Sequence, residues 1–271
     1  MTSSRHTGAS VRHLVRDSYA GMCRSSWTAT ALNLLFSCEC AFCQSKIKLH
    51  DYHAAFCQAC VGRLKAEASQ MCQRCGAVSE TGVRGVTEGD RPKTCRQCLD
   101  KKFRFRRVIA LGNYEGYLRD AVLRTKHIHE QPLASALGGI LAERIGAELS
   151  NDLPDVLVAT PMHWWRRLSR GAGCGEVMAE RMAEQLGIPF QLRALSPCRN
   201  TQKQSMLTPS QRRRNVRGAW RITPGVQFSG HVALVDDILT TGATANELTR
   251  QLLSAGATHV TLCVAARAIR I

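Results

Sequence analysis

The sequence predicts an α/β protein with a doubly wound parallel sheet and a small N-terminal cysteine-rich domain. Three observations predict it. Short apolar runs alternate with helical patterns over residues 101–271, and four C-x-x-C pairs lie within residues 34–100. Two aspartates follow one apolar run directly before a turn rich in Thr. Alternating strands and helices are typical of a parallel sheet covered by helices on both faces.

The elements of residues 101–271 follow one another in that alternating order. Strands are predicted at 107–111, 155–162, 190–195, 231–235 and 259–266, because these are short apolar runs of the kind buried in parallel sheets. Helices are predicted near 118–127, 133–149 and 175–187, and from about residue 245, where apolar residues recur at helical spacing. Thr244 and Glu247 have the spacing of a capping box, which would mark the start of the last helix.

Composition limits the class of protein. The chain has 271 residues and a formal net charge of +16, which predicts attraction to DNA or RNA, with a generic basic surface as the alternative. No apolar run is long enough to span a membrane, so a cytoplasmic protein without membrane insertion is expected. Residues 1–33, rich in Ser and Arg, are expected to be a disordered extension or the product of an upstream start codon rather than a targeting segment.

Eight cysteines form four C-x-x-C pairs, which are Cys40/Cys43, Cys57/Cys60, Cys72/Cys75 and Cys95/Cys98. Two thiolates one turn apart converge on one tetrahedral ion, so two pairs complete a four-cysteine zinc site. Sequential pairing predicts two zinc ribbons, while interleaved pairing of the first pair with the third stays open. Disulfides are disfavoured because the chain shows no export signal. The sequence thus predicts two structural Zn²⁺ ions.

The segment HVALVDDILTTGAT, residues 231–244, carries the predicted ligand site. Asp236 and Asp237 are expected to end a strand, and a tight turn should follow, formed by Thr240, Thr241, Gly242, Ala243 and Thr244. Open α/β sheets bind phosphorylated ligands where a strand runs into a helix, because free amides and the helix dipole attract an anion. Paired carboxylates suit a sugar diol, directly or through a metal. A phosphoribosyl site is therefore predicted, with a capped turn bearing solvent-facing acids as the alternative.

The stretch VALVDDILTTGAT resembles the phosphoribosyl pyrophosphate signature of type I phosphoribosyltransferases. Together with the double zinc ribbon, it makes the chain similar to the ComF family, whose proteins are associated with DNA uptake in natural transformation. The resemblance runs from about Leu34 to Arg267 and includes NYEGYLRDAVLRTKH and RNTQKQSMLTPSQRRRNVRGAW. In the latter segment, the positions that match the family pattern are Arg199, Thr201, Gln204, Leu207, Arg212 and Asn215.

The resemblance implies that the chain binds phosphoribosyl pyrophosphate together with Mg²⁺. Asp236 and Asp237 would hold the ribose hydroxyls, and residues 240–244 would hold the 5-phosphate. The pyrophosphate would lie at a loop that includes Pro161, Met162 and His163. Positive charge near the pyrophosphate would come from Arg166, Arg167, Lys126, Arg199 and Arg212. The alternative for each of these residues is an ordinary charged side chain on the surface.

One segment departs from the family. Where the family has Arg-Gly-Phe-Asn-Gln, Arg170 and Gly171 are followed here by Ala172, Gly173 and Cys174, which predicts retained binding with slow or absent turnover. Two functions stay open. The first is a nucleic-acid-associated factor for DNA uptake, whose partners would be single-stranded DNA and a helicase-like competence protein. The second is an active type I phosphoribosyltransferase that acts on an unidentified base.

Overall fold

The computed structural model describes residues 38–47, 56–68, 71–78, 95–99, 101–162, 172–199 and 208–269. The predicted extension at 1–33 lies outside these ranges, as do His163, Arg166 and Arg167. By its internal contacts, the chain divides into two units, Met1–Cys57 and Gln58–Ile271. The larger unit holds Cys72, Cys75, Cys95 and Cys98 together with the sheet. The domain boundary expected at residue 100 stays a prediction.

The smaller unit contains a short antiparallel hairpin of two strands, β1 (Cys38–Glu39) and β2 (Lys46–Ile47). Its turn is closed by two backbone hydrogen bonds, from Cys40 N to Ser45 O and from Gln44 N to Cys40 O, each 2.8 Å long. The rings of Phe42 and Phe56 stack with centroids 4.3 Å apart. The hairpin therefore presents its first C-x-x-C pair on a compact turn.

The larger unit has the predicted alternation of strands and helices. It begins with α1 (Gln58–Ala68), β3 (Arg107–Asn113), α2 (Gly116–Arg124), a short 3-10 helix (Ile128–Glu130), α3 (Gln131–Glu148) and β4 (Val156–Ala159). It continues with α4 (Cys174–Leu186), β5 (Leu195–Pro197), α5 (Pro209–Val216), β6 (Trp220–Ile222), β7 (Gly230–Leu239), α6 (Ala243–Ser254) and β8 (Ala257–Arg267). None of the helices that the structure describes is long and apolar enough to cross a membrane.

Four strands form one parallel sheet in the order β3-β8-β7-β4. One core joins α6 to alternate residues of all four strands, and its members include Leu248, Val108, Val158, Leu234 and Leu262. The residues between them along each strand point to the opposite face, where α3 and α4 pack against each other and against the sheet. Helices cover both faces, so the predicted fold class is confirmed.

The strand predicted at 190–195 is wrong as a member of this sheet. Phe190 makes only an isolated parallel bridge to Leu157. The chain then turns, and β5 pairs with β6 as a separate antiparallel ribbon. The ladder ends after Gln191, whose N–H donates to the Leu157 carbonyl, because the exposed Leu192 and Arg193 leave the sheet.

Candidate functional site

The paired aspartates lie inside β7, since this strand continues to Leu239 rather than ending at Val235. The long strand β8 supplies the ladder, because it pairs with β7 at Asp236↔Val264 and Leu239↔Arg267. On the other side, the pairing with β4 stops at Val235. Both carboxylates are thus half-buried at the carboxyl edge of the sheet, in the position where open α/β sheets bind ligands.

The electrostatics of the pair favour a cation or hydroxyl donors. Burial raises the pKa of Asp236 well above its usual range, and the neighbouring charge of Asp237 raises it further. The hydrogen bond that Asp236 Oδ1 accepts from Asp237 N, at 2.9 Å, offsets only part of this. Two adjacent carboxylates cannot both ionise easily without compensation. A divalent cation or a diol would supply that compensation.

The turn after β7 leads directly into a helix. Gly242 has a φ of +78° and is the N-cap residue of α6, so the helix begins at Ala243. The Thr241 hydroxyl accepts a hydrogen bond from Ala243 N at 3.4 Å. Amides in the first turn of a helix have no acceptor within the helix and attract anions. A turn that leads into free helix amides, the arrangement by which many proteins bind anions, therefore follows the aspartate pair within a few residues.

The capping box predicted for Thr244 and Glu247 is wrong, because both residues lie within the first turns of α6. The left-handed conformation of Gly242 moves the helix start two residues upstream of the predicted cap. Glu247 is instead buried beneath the helix. Its carboxylate accepts a hydrogen bond from Gly218 N at 3.0 Å and pairs with Arg250 at 2.6 Å.

The N-terminus of α4 lies beside the aspartates. A Cβ atom added to Gly175 would lie 3.1 Å from the carbonyl oxygen of Val235. Burial raises the pKa of the Cys174 thiol to about 12, and the charges of Asp237 and Asp236 raise it while that of Lys126 lowers it. Cys174 is therefore a neutral thiol within electrostatic reach of the aspartate pair.

The predicted pyrophosphate loop is described only at its start. Pro161 and Met162 follow β4 and are half-buried. A Cβ atom added to Gly173 would lie 3.0 Å from Met162 Cε, so the segment that departs from the family adjoins this loop. Arg199 donates hydrogen bonds from Nη2 to the carbonyls of Asn215 (2.8 Å) and Arg217 (3.0 Å), at the end of α5. Its role toward a pyrophosphate stays a prediction.

The first group of cysteines consists of Cys40, Cys43, Cys57 and Cys60, whose sulfur atoms all lie within 4.8 Å of one another. The sulfurs of Cys43 and Cys57 are 3.6 Å apart. Four thiolates around Zn²⁺ at about 2.3 Å stand about 3.8 Å from one another in a tetrahedron. Hydrogen bonding by Ser45 lowers the pKa of Cys43 to about 6, which favours the thiolate. The group fits a structural zinc ion.

The second group consists of Cys72, Cys75, Cys95 and Cys98, all of them buried. The sulfur–sulfur distances are 3.6 Å for Cys75–Cys95, 3.8 Å for Cys95–Cys98 and 4.0 Å for Cys72–Cys98. Hydrogen bonds from the neighbouring thiols lower the pKa of Cys72, which favours a thiolate there. All eight cysteines of the two groups are free thiols. Since the first C-x-x-C pair groups with the second and the third pair with the fourth, sequential pairing is confirmed and interleaved pairing is wrong.

A third group, Asp152, His231 and His259, lies at the opposite, amino edge of the sheet. His231 Nδ1 is 3.0 Å from the Asp152 carbonyl, and Nε2 is 2.7 Å from the Thr261 hydroxyl. Both ring nitrogens are thus engaged by protein atoms, and a carbonyl at Nδ1 requires a proton there. Burial, together with His259, lowers the pKa of His231 to about 4. We interpret the group as a structural hydrogen-bond network around a neutral His231 rather than as a metal site.

Comparisons with known proteins complete the description of the site. No protein-family model matches the chain. The DNA utilization protein YhgH of Salmonella typhi is 27% identical over 224 residues, which are 82% of this chain and 93% of the relative. Competence protein F of Haemophilus influenzae is 23% identical over 238 residues, 86% of this chain and 98% of the relative. The chain is therefore similar to these DNA utilization and competence proteins over most of its length. The resemblance predicted from the sequence is confirmed.

Among solved structures, the chain is similar to the adenine phosphoribosyltransferase of Leishmania tarentolae. The likeness covers 52% of this chain and 73% of that protein, at 19% identity and a TM-score of 0.33. The assignment of the fold rests on the strand order of the sheet itself, which is parallel throughout.

Sequence reasoning missed one buried side chain beside the candidate site. Arg267, at the end of β8, is 4% exposed and donates a hydrogen bond to the Leu239 carbonyl at 2.9 Å. A signal was present, because a charged residue directly after the apolar run of β8 is unusual unless its charge is satisfied.

Proposed function

We propose that this protein binds phosphoribosyl pyrophosphate with Mg²⁺ at the carboxyl end of β7 and serves DNA uptake as a nucleic-acid-associated factor in the cytoplasm. One observation supports the choice of ligand: the half-buried pair Asp236–Asp237 stands shortly before the turn that leads into the free amides at the start of α6. The names of the relatives, which refer to DNA utilization and competence, support the biological context.

In this proposal, each part of the ligand has its own partner. The carboxylates of Asp236 and Asp237 accept hydrogen bonds from the two ribose hydroxyls, and one or both also face Mg²⁺, which prefers oxygen ligands. The turn at 240–244 donates backbone amides and Thr hydroxyls to the 5-phosphate. Mg²⁺ supplies charge neutralisation for the pyrophosphate. Release of that pyrophosphate depends on positioning and charge stabilisation rather than on a protein nucleophile.

Turnover is proposed to be slow or absent. The segment Ala172–Cys174 lies between the predicted pyrophosphate loop and the aspartates and contributes no side-chain donor except a neutral thiol. Without amide or charged side chains there, the developing charge on the leaving group gains little stabilisation. A retained ligand with little chemistry suits a binding factor.

The proposed nucleic-acid partner is single-stranded DNA, with a helicase-like competence protein as a protein partner. The formal charge of +16 gives an attraction to any polyanion. Helix α5 carries the run Arg212–Arg214, and the side chain of Arg214 is exposed. The N-terminus of this helix is capped by Thr208 and Gln211, which bond to each other's backbone N–H, so the basic run is held on a defined helix.

Calorimetric titration with phosphoribosyl pyrophosphate and Mg²⁺ tests the ligand. The double variant Asp236→Asn and Asp237→Asn keeps the size of both side chains and removes their charge, so binding is expected to weaken by about tenfold or more. Glu180→Gln, at an exposed position of α4, is the matched control and should bind like the wild type. Equal affinity in the wild type and the double variant would reduce the motif to a structural turn.

A further inference from the structure

We propose that the second zinc site holds the turn at 240–244 in its ligand-binding conformation, with Arg267 as the positioning residue between them. Zinc at Cys72, Cys75, Cys95 and Cys98 would then set the affinity for phosphoribosyl pyrophosphate. It would also stabilise the two short turns that carry the cysteine pairs; the turn at 72–77 is called the knuckle below. The inference rests on the proposed function, because it assigns a means of control to the same ligand site.

Arg267 joins the two sites by direct hydrogen bonds. Its Nε donates to the carbonyl of Cys75, a zinc-ligand residue, at 2.9 Å. Its Nη1 donates to the carbonyls of Leu239 at 2.9 Å and Ala268 at 2.6 Å, and also to that of Thr240. A buried guanidinium needs such acceptors, because an unpaired charge is costly in the interior. One side chain thus fixes both the knuckle that carries Cys75 and Thr240, the first residue of the turn.

A second, independent route runs through Phe103. Arg74, between the ligands Cys72 and Cys75, donates to the carbonyls of Phe103 (2.7 Å) and Phe105 (2.5 Å). Phe103 packs against the second cysteine group. A Cβ atom added to Gly242 would lie 3.0 Å from Phe103 Cε1, so the ring touches the turn itself. The knuckle is therefore connected to both the first residue and the middle residue of the turn.

Loss of zinc would loosen both routes at once. The knuckle at 72–77 is closed by two backbone hydrogen bonds of 2.7 Å, Cys72 N to Ala77 O and Gly76 N to Cys72 O, and zinc would join it to the separate pair Cys95 and Cys98. Without a fixed Cys75 carbonyl, Arg267 loses one of its four acceptors, and the Leu239 and Thr240 carbonyls lose a fixed donor. The turn would then have to be ordered when the ligand binds, which lowers the affinity.

Coupling of this kind is reciprocal, so it can be measured without any change at the proposed link. If zinc favours the ligand, the ligand must favour zinc by the same factor, typically about 5- to 150-fold. The protein for this test is the full chain with Cys43→Ser, which impairs the first site and leaves the second site intact. Zinc transfer to a coloured chelator is followed with and without phosphoribosyl pyrophosphate and Mg²⁺. Zinc affinity is expected to rise about tenfold with the ligand.

Two variants locate the coupling. Arg267→Met removes the charge and donors at similar length, and is expected to weaken ligand binding about tenfold and abolish the zinc effect. Hydrogen exchange should accelerate at amides 240–244 while amides 232–235 in β7 stay protected, which separates positioning from general destabilisation. Arg267→Lys, which keeps the charge without the fork of donors, should recover part of the affinity. Arg221→Met, at an exposed position of β6, is the control.

The outcomes separate this inference from the proposed function. If the wild type does not bind phosphoribosyl pyrophosphate, the proposed function itself fails. If the wild type binds but zinc affinity at the second site is the same with and without ligand, the coupling is overturned and the proposed function stands. Should Arg267→Met fail to fold, the reciprocal measurement with the Arg267 side chain intact still decides.

Discussion

At the scale of single residues, the site combines groups whose chemistry is set by what lies beside them. The pKa of the half-buried Asp236 is raised first by burial and then by the charge of Asp237, and burial likewise keeps the Cys174 thiol neutral. The adjacency of the two aspartates was visible in the sequence, but the burial that dominates both pKa shifts and the approach of α4 were not. The presence of the two carboxylates and the hydroxyl-rich turn was visible.

The Thr241 hydroxyl provides a residue-scale test of the phosphate turn. Thr241→Val removes one donor at nearly constant volume and is expected to cost about 1 to 3 kcal/mol of ligand-binding free energy, because a phosphate oxygen loses its partner. Thr258→Val, on an exposed residue of β8, is the matched control. Calorimetry with phosphoribosyl pyrophosphate and Mg²⁺ measures both, and an unchanged affinity in Thr241→Val would exclude this hydroxyl from the site.

His231 provides a second residue-scale test, in the dependence of stability on pH. Its pKa is lowered to about 4 in the folded protein, mainly by burial and by the stacked His259, with Asp152 and Asp155 acting in the opposite direction. The unfolded chain takes up a proton near the usual pKa of about 6.5. The contribution of His231 is therefore complete above that pH and is lost as the pH falls toward 4.

Between about pH 7 and about pH 5, this residue should cost the fold about 2 kcal/mol of unfolding free energy. Urea unfolding of the wild type and of His231→Asn measures it as the difference between their pH dependences, which cancels the acid sensitivity of the zinc thiolates common to both. His127→Asn, on an exposed histidine after α2, should retain the wild-type slope. Parallel curves for His231→Asn and the wild type would contradict the assignment.

At the scale of elements, the sequence predicted those features that depend only on residues close together in the chain. The apolar run 231–235 and the C-x-x-C spacing predicted β7 and the knuckles, since period and ligand spacing are properties of neighbouring residues. The end of β7 was predicted too early, at Val235. The strand continues because it pairs with β8, which lies beyond α6 in the chain. The predicted strand at 190–195 failed for a related reason, because its partner β6 also lies far along the chain.

Gly242 tests the junction between β7 and α6. Gly242→Ala places a Cβ in a left-handed conformation, with φ of +78°, and within 3.0 Å of Phe103. A loss of about 1 to 2 kcal/mol in unfolding free energy is expected from the conformation alone. Gly139→Ala, inside α3 with only flexible side chains nearby, should instead stabilise by up to about 1 kcal/mol. Equal effects in denaturant titrations would mean that the turn is not constrained as described.

At the scale of the whole molecule, attraction to nucleic acid and binding of the small ligand depend on different features of the protein. A charge of +16 predicts long-range attraction to nucleic acid that fades with salt. The ligand site depends on a few buried contacts at the carboxyl edge of the sheet. A protein that uses both would bind DNA through its surface while the phosphoribosyl site stays intact. The two activities should therefore be separable by mutation.

Single-stranded DNA tests that separation. Affinity should fall steeply with salt, and the log–log slope should be about −0.7 for each phosphate neutralised. Replacing Arg212, Arg213 and Arg214 by Ala should flatten the slope without changing the affinity for phosphoribosyl pyrophosphate. Ala at Arg96, Arg193 and Arg221, three exposed arginines elsewhere, removes the same charge and is the matched control. If the control set flattens the slope equally, DNA is held by net charge alone and α5 has no special part.

Turnover distinguishes the binding factor from the enzyme. A type I phosphoribosyltransferase supplied with its base would release pyrophosphate at about 1 per second or faster. The neutral Cys174 and the side-chain-poor segment at 172–173 predict far slower release from the proposed complex, because the leaving group lacks donors. Replacing Ala172–Cys174 with Phe-Asn-Gln, the residues at these positions in the family pattern, should raise the rate if this segment is what limits it. Multiple turnover by the wild type with any common base would show instead that the altered segment does not limit the chemistry and that the chain is an enzyme.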